Sequence, residues 1–277
     1  MRERDYIRWL RGALASPHVG DDTAVLAPPG NDLLFTTDLL VEGTHFPAGT
    51  DPKLVGRKAV AASLSYIAAM GGIPKYAVLS VCLRRGCGDE AAKAVLIGAA
   101  EVAREFDTEI VGGDTTSSEG CFTVCVAMLG AAPEGGPVLR SGAAEGDRIL
   151  VTGRLGGSIR GGHLTFTPRV REAAAILAAA RPSAMIDVSD GLVTDLGHII
   201  EESGVGAVLQ EDAIPCGEGC TVENALSDGE DYELLMTAQK GEADKILALG
   251  LECGVTAIGT MEGEEGPLDG AGYEHEW

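Results

Sequence analysis

Short apolar runs alternate with helix-length stretches along the chain, and a breaker cluster, APEGGP at 132–137, interrupts the alternation near its middle. Such a pattern selects α/β layers, because each apolar strand run needs a helix to cover it. In the first half, strands are predicted at 32–37, 76–83, 108–112 and 122–130, and helices at about 3–14, 53–70 and 89–106. After the breaker come strand 148–153, helix 169–180, strand 184–189, helix 191–203, strands 206–210 and 232–238, a helix near 241–249 and strand 255–261. The chain of 277 residues therefore divides near 138 into two halves, 1–138 and 139–277, each long enough for a core of its own. Aromatic residues are only 4% of the chain against 39 glycines, which suits close-packed α/β layers better than an all-β sandwich.

Charge narrows the partners. The chain carries 42 acidic and 21 basic residues, a net charge of −21. That balance argues against nucleic acid and against anionic membrane surfaces, both of which need clustered Lys and Arg. No apolar run reaches the ~20 residues of a membrane span, and the charged start MRERDYIRWLRGAL lacks the apolar stretch of a signal peptide. A cytoplasmic protein with reduced thiols is expected. Cys121 and Cys125 read as buried thiols of one apolar strand, while the CGEGC spacing of Cys216 and Cys220 leaves metal binding or pairing open.

The chemistry shows first in the placing of certain carboxylates. Asp21 and Asp22 in GDDTAVL, Asp38 in LLFTTDLL, Asp114 in EIVGGDTT, and Asp187 and Asp190 in MIDVSDGL each follow an apolar run and precede small polar residues. Strand ends are where open α/β sheets bind ligands. Acids gathered there from separate strands would repel one another without cations between them. With the hydroxyls of Thr36, Thr37 and Ser189 they form a hard oxygen set suited to Mg²⁺ and phosphate, although helix capping explains some of these positions equally well. Two glycine-rich turns, GGD at 112–114 and VTGRLGGSIRGG at 151–162, have the character of phosphate-cradling loops. No P-loop and no strict GxGxxG is present, so ATP would be bound without either.

Taken in order, GDDTAVL, TTDLLVEGTHF, LSYIAAMG, IVGGDTT, RSGAAEGD, IDVSDGLVTDLGHI and SDGEDYELL closely resemble the motifs of the thiamine-monophosphate kinase family, in the superfamily of aminoimidazole ribonucleotide synthetase. The resemblance runs from about residue 20 to the GYEHEW terminus. It implies a two-domain α/β fold: a four-stranded sheet that completes a barrel across a homodimer, followed by an α+β layer domain. It also implies transfer of the γ-phosphoryl group of ATP to thiamine monophosphate, with several Mg²⁺ ions and usually K⁺. By that resemblance Asp22, Thr36, Thr37, Asp38, Asp114, Asp187 and Asp190 match metal ligands. Gly113, Asp114, Arg140 and Ser189 match nucleotide contacts, and His45, Glu230 and Tyr273 match acceptor contacts. Asp38, Asp114, Asp190 and Arg140 form the implied catalytic set.

The chain departs from the family in the turn around SIRGG, in SDGEDYE for the more common SGGEDYE, in shorter loops of the second half, and above all at position 66. Where the family reads NLSDxAAMG, this chain reads ASLSYIAAMG, so Tyr66 stands where the family has a metal-binding acid. Helical spacing puts Ser63, Tyr66 and Met70 on one face, and Leu64, Ile67 and Ala68 on another. A neutral phenol is a poor Mg²⁺ ligand. Three readings follow: an active kinase with fewer or weaker metals, a nucleotide- or phosphate-binding homologue without turnover, and a superfamily enzyme with another acceptor.

Overall fold

The computed structural model describes residues 24–26, by their backbone, and 32–263. The first half runs Ala24–Leu26 (β1), Leu33–Val41 (β2), Pro52–Ala69 (α1), Ile73–Arg84 (β3), Gly88–Glu105 (α2), Glu109–Ser118 (β4) and Thr123–Ala131 (β5). The second runs Arg148–Thr152 (β6), Val170–Ala179 (α3), Ala184–Asp187 (β7), Leu192–Ser203 (α4), Gly206–Leu209 (β8), Val222–Ser227 (α5), Leu234–Ala238 (β9), Lys240–Leu247 (α6) and Val255–Glu262 (β10). Single 3-10 turns lie at Ser158–Arg160, Gly162–Leu164 and Glu211–Ala213. The helix expected at 3–14 lies outside the described residues. Helix α5 was not anticipated: six residues are too few for periodicity, and only its Thr221/Asn224 capping box marks it.

Each half holds one five-stranded sheet, ordered β1-β2-β5-β3-β4 and β7-β9-β6-β10-β8. Among the described strands, only β3 and β4 pair in parallel. The implied four-stranded first sheet is thus extended by a three-residue edge strand, β1, paired from Ala24↔Phe35 to Leu26↔Leu33.

Strand β2 sets the two faces of the first sheet by simple alternation. Leu34, Thr36 and Leu40 are buried against α1, and Phe35, Thr37 and Leu39 stand on the opposite, open face. That open face continues onto β3 through Ile73, Tyr76 and Val78, all exposed. Cys125 of β5 is half-buried, its Sγ 3.4 Å from Thr37 Oγ1, and Cys121 precedes β5 and is exposed. The expected pair of buried thiols is therefore not present, because only one of the two lies in the strand. Cys216 and Cys220 are free thiols that approach only the local carbonyls of Ile214 and Glu218.

Helix α1 starts on the Asp51 carboxylate, which accepts the Lys53 amide at 2.9 Å, with Pro52 in its first turn. Its small residues allow close approach on every side. A Cβ on Gly56 would fall 2.0 Å from the Val95 carbonyl oxygen, and one on Gly98 of α2 would fall 1.9 Å from that of Lys53. The helix middle packs into the first core, whereas Ala68 and Ala69 at its end join Leu150, Met185 and Met236 in a core of the second half. The breaker segment is tied to this helix end, for the Val138 amide donates to the Met70 carbonyl at 3.1 Å.

Candidate active site

The two halves enclose a cavity of about 520 Å³. The first half supplies Asp38 from β2, the turn 43–47 with His45, and Tyr66 from α1. The second supplies Ser189 and Asp190 after β7, the segment Asp228, Glu230 and Tyr232 before β9, and Ile159 and His163 from the 3-10 turns after β6. Asp38, His45, Ser189, Asp190 and Glu230 are thus brought together on one cavity wall or another.

Asp38 sits within β2 rather than past its end, because the strand continues through Leu39 and Leu40 to Val41. Asp114 likewise lies inside β4. Burial raises the Asp38 carboxyl from 3.8 to about 6, with the nearby Glu230 charge adding to it and Lys58 and a Tyr66 hydrogen bond opposing. The phenol therefore lies close enough to Asp38 to influence it, and burial together with the surrounding acids holds Tyr66 well above its ordinary value. Of the face expected to carry Ser63, Tyr66 and Met70, only Tyr66 reaches the cavity; Ser63 and Met70 are fully buried, Met70 in the first core. Thr36 shares the inward face of β2, whereas Thr37 points away and donates to the Val126 carbonyl at 3.1 Å.

Lys58 escaped the sequence reading. It is fully buried, donates to the His45 carbonyl at 2.6 Å, and pairs with Glu230. Burial pulls its ammonium down, countered by Glu230 and Asp38. Its spacing of eight residues from Tyr66, two helical turns on the same face, was the available signal. One position before Tyr66, Ser65 donates to the buried Asp187 at 2.6 Å, which fixes the last residue of β7 against α1.

Asp195 was also missed. One of its carboxylate oxygens accepts the amides of Ser189, Asp190 and Gly191 at 3.0, 3.0 and 3.2 Å. Burial, then the charges of Asp190 and Asp187, raise its carboxyl well above the usual range, with Arg140 among the opposing influences. Arg140 thus acts electrostatically on this cluster from outside the cavity wall. Ligand atoms of Asp190, Asp195 and His198 lie within 4.8 Å of one another.

The segment before β9 is strained. Glu230 and Tyr232 adopt φ of 58° and 52°, the left-handed region that non-glycine residues enter at a cost of about 1–2 kcal/mol each. Backbone bonds hold them there: Glu230 donates to Ser189 and Tyr232 to Val188, both at 2.7 Å. The adjacent acids take the amides of the glycine-rich turn, Gly156 to Asp231 at 2.7 Å and Gly157 to Asp228 at 3.0 Å. Those amides are occupied by carboxylates, so the turn expected to cradle phosphate does not present them.

Gly113 and Asp114 are placed elsewhere, in a groove between edge strand β4 and α2 lined also by Leu79 and Leu96. The register runs Asp38–Val126–Leu79–Gly113, three strand spacings or about 14 Å. Asp22 and Tyr273 lie outside the described residues.

Two family models, AIR synthase related protein N-terminal domain and C-terminal domain, match residues 20–132 and 144–267. The thiamine-monophosphate kinase of Rhodopirellula baltica is 34% identical over 288 residues, 95% of this chain and 90% of that one. That of Methanospirillum hungatei is 35% identical over 293 residues, with the full length of both covered. The chain belongs to the thiamine-monophosphate kinase family. A solved family structure, AaThiL complexed with AMPPCP and TMP, superposes with a TM-score of 0.89 at 29% identity, covering 99% of this chain and 97% of that one. Among the described residues, no helix is long and apolar enough to cross a membrane.

The donor set fits a hard divalent cation. Burial and the neighbouring Asp190 and Asp187 disfavour ionisation of Asp195, and a cation between such carboxylates relieves that repulsion.

Proposed function

We propose that this protein transfers the γ-phosphoryl group of ATP to thiamine monophosphate, forming thiamine diphosphate and ADP. The bond from the γ-phosphorus to its bridging oxygen breaks, and a bond to an acceptor phosphate oxygen forms. That oxygen is already ionised at neutral pH, so no general base is needed, and catalysis reduces to positioning and charge neutralisation. His45 accepts the Val41 amide at Nδ1, 3.0 Å away, so Nε2 carries the proton and serves as a donor to the acceptor phosphate. Glu230, held by Lys58, borders the same acceptor end. Asp38, Asp187 and Asp190, with Thr36 and Asp22, are the ligands we assign to Mg²⁺; the Thr37 hydroxyl, on the opposite face of β2, drops out of the set, and K⁺ is a further expected ion. When bound, these ions neutralise the phosphates.

Gly113, Asp114, Arg140 and Ser189 are assigned to the nucleotide, and Tyr273 to the acceptor. The separation of Asp114 from Asp38 within one chain favours a homodimer, in which a second copy brings its β4 to this cavity. The open apolar face of Phe35, Leu39, Tyr76 and Val78 is the surface we assign to that association, closing a barrel between the two sheets. We place the domain boundary near residue 138 and the protein in the cytoplasm, with no nucleic-acid or membrane partner.

The observation that carries this reading is the convergence of Asp38, Asp190, His45 and Glu230 on one cavity. Incubation with ATP, Mg²⁺ and thiamine monophosphate, followed by chromatography for thiamine diphosphate, tests it. A second reading, binding without turnover, is favoured by the Tyr66 phenol on the cavity wall near Asp38, a neutral group where a metal would otherwise find a carboxylate. Tight MgATP binding with no diphosphate formed would select it.

A further inference from the structure

We infer that His163 selects the acceptor by accepting a hydrogen bond from an amino group on its aromatic ring. This deepens the kinase reading and rests on it. His163 is 5% exposed and lines the cavity from the second 3-10 turn, and the 43–47 turn that carries His45 lines the same cavity. Its Nδ1 lies 2.9 Å from the Ser158 carbonyl oxygen. A carbonyl oxygen only accepts, so Nδ1 carries the proton, and in the neutral ring Nε2 is a bare lone pair. The bond to Ser158 is the only one that His163 makes among the described residues.

His45 is fixed the opposite way, because a backbone N–H occupies its Nδ1. One cavity therefore holds two imidazoles of reversed polarity, one offering a proton and the other a lone pair. The same cavity is lined by apolar side chains, Leu40, Phe46, Pro47 and Ile159, and by the carboxylates of Asp228 and Glu230. The complementary ligand carries an anion, a flat cationic or apolar portion, and an N–H donor. Thiamine monophosphate has all three: phosphate, thiazolium and aminopyrimidine. A buried acceptor built to meet an N–H rejects an analogue lacking it, since the acceptor is then left unpaired.

Calorimetry on the full chain with thiamine monophosphate and with its 4′-desamino analogue tests the assignment. The wild type should bind the amino form roughly tenfold tighter, the effect of one net hydrogen bond. His163→Phe should bind both alike, and His163→Gln, whose amide oxygen accepts, should recover part of the preference. In the wild type, the ¹⁵N resonance of His163 Nε2 should move with the amino ligand and stay put with the analogue, a readout that needs no variant to fold. Equal binding of the two ligands by the wild type, or a preference unchanged in His163→Phe, overturns the inference and leaves the kinase reading standing. Failure of the wild type to bind thiamine monophosphate at all overturns both.

Discussion

Lys58 of α1 and Glu230 of the segment before β9 form an ion pair across the seam between the halves, the lysine fully buried and the glutamate 21% exposed. Removing one member strands the other. Lys58→Met should cost about 3 kcal/mol, the low end for a broken buried pair because water still reaches Glu230. The double variant Lys58→Met, Glu230→Gln should recover much of that loss. Urea denaturation of the three proteins measures both steps.

Asp38 gives a signed pH dependence. Its carboxyl titrates at about 6 in the folded protein against 3.8 unfolded. Between those values the native state binds more protons than the unfolded chain, so its contribution to stability declines as pH rises. Above both values the cost levels off at about 3 kcal/mol. Ligand-free Asp38→Asn should therefore melt higher than the wild type at pH 8, by up to that amount, and no differently at pH 3. A gap that widens toward acid contradicts this. Saturating Mg²⁺ should stabilise the wild type far more than Asp38→Asn.

Tyr66 separates packing from metal chemistry. Tyr66→Phe removes the hydroxyl that helps hold the Asp38 carboxyl down, and should push that carboxyl higher still. Tyr66→Asp should lower the Mg²⁺ concentration at half-maximal rate, because a carboxylate replaces a neutral phenol beside Asp38. A destabilised Tyr66→Asp with an unchanged Mg²⁺ requirement would assign the ring to packing alone.

Asp195 anchors the loop that presents Ser189 and Asp190. Asp195→Ala leaves three amides without their acceptor and should lower kcat about 10²-fold, with a smaller change in the KM for the acceptor, since positioning errors of this kind cost about that much. Asp195→Asn keeps an oxygen acceptor and should rescue most of the stability but less of the rate. Steady-state kinetics at varied acceptor concentration distinguishes them.

Most elements could be read from periodicity, because strands such as Ile73–Arg84 and helices such as Pro52–Ala69 carry clear apolar patterns. The errors have a common cause. A polar residue after an apolar run looks like a strand end, yet β2 continues past Thr36, Thr37 and Asp38 because Leu40 still finds the core. The grouping of Asp38 with His45 and Glu230 depended on motif order, which no local rule supplies. Lys58, His163 and Asp195 stayed hidden because their roles arise from burial between distant segments. A lysine inside an apolar helix is visible in sequence, but its partner 172 positions away is not.

Helix α1 ends inside the core of the half it does not belong to, with Ala68 and Ala69 set among Leu150, Met185 and Met236. It acts as a strut whose two ends are clamped by different bodies. A hinge needs an interface that slides, and this one is interlocked through a close-packed interior with little room to shear. Ligands thus enter a vessel already shaped, past its rim rather than between closing jaws, and spend little of their binding energy on assembling it.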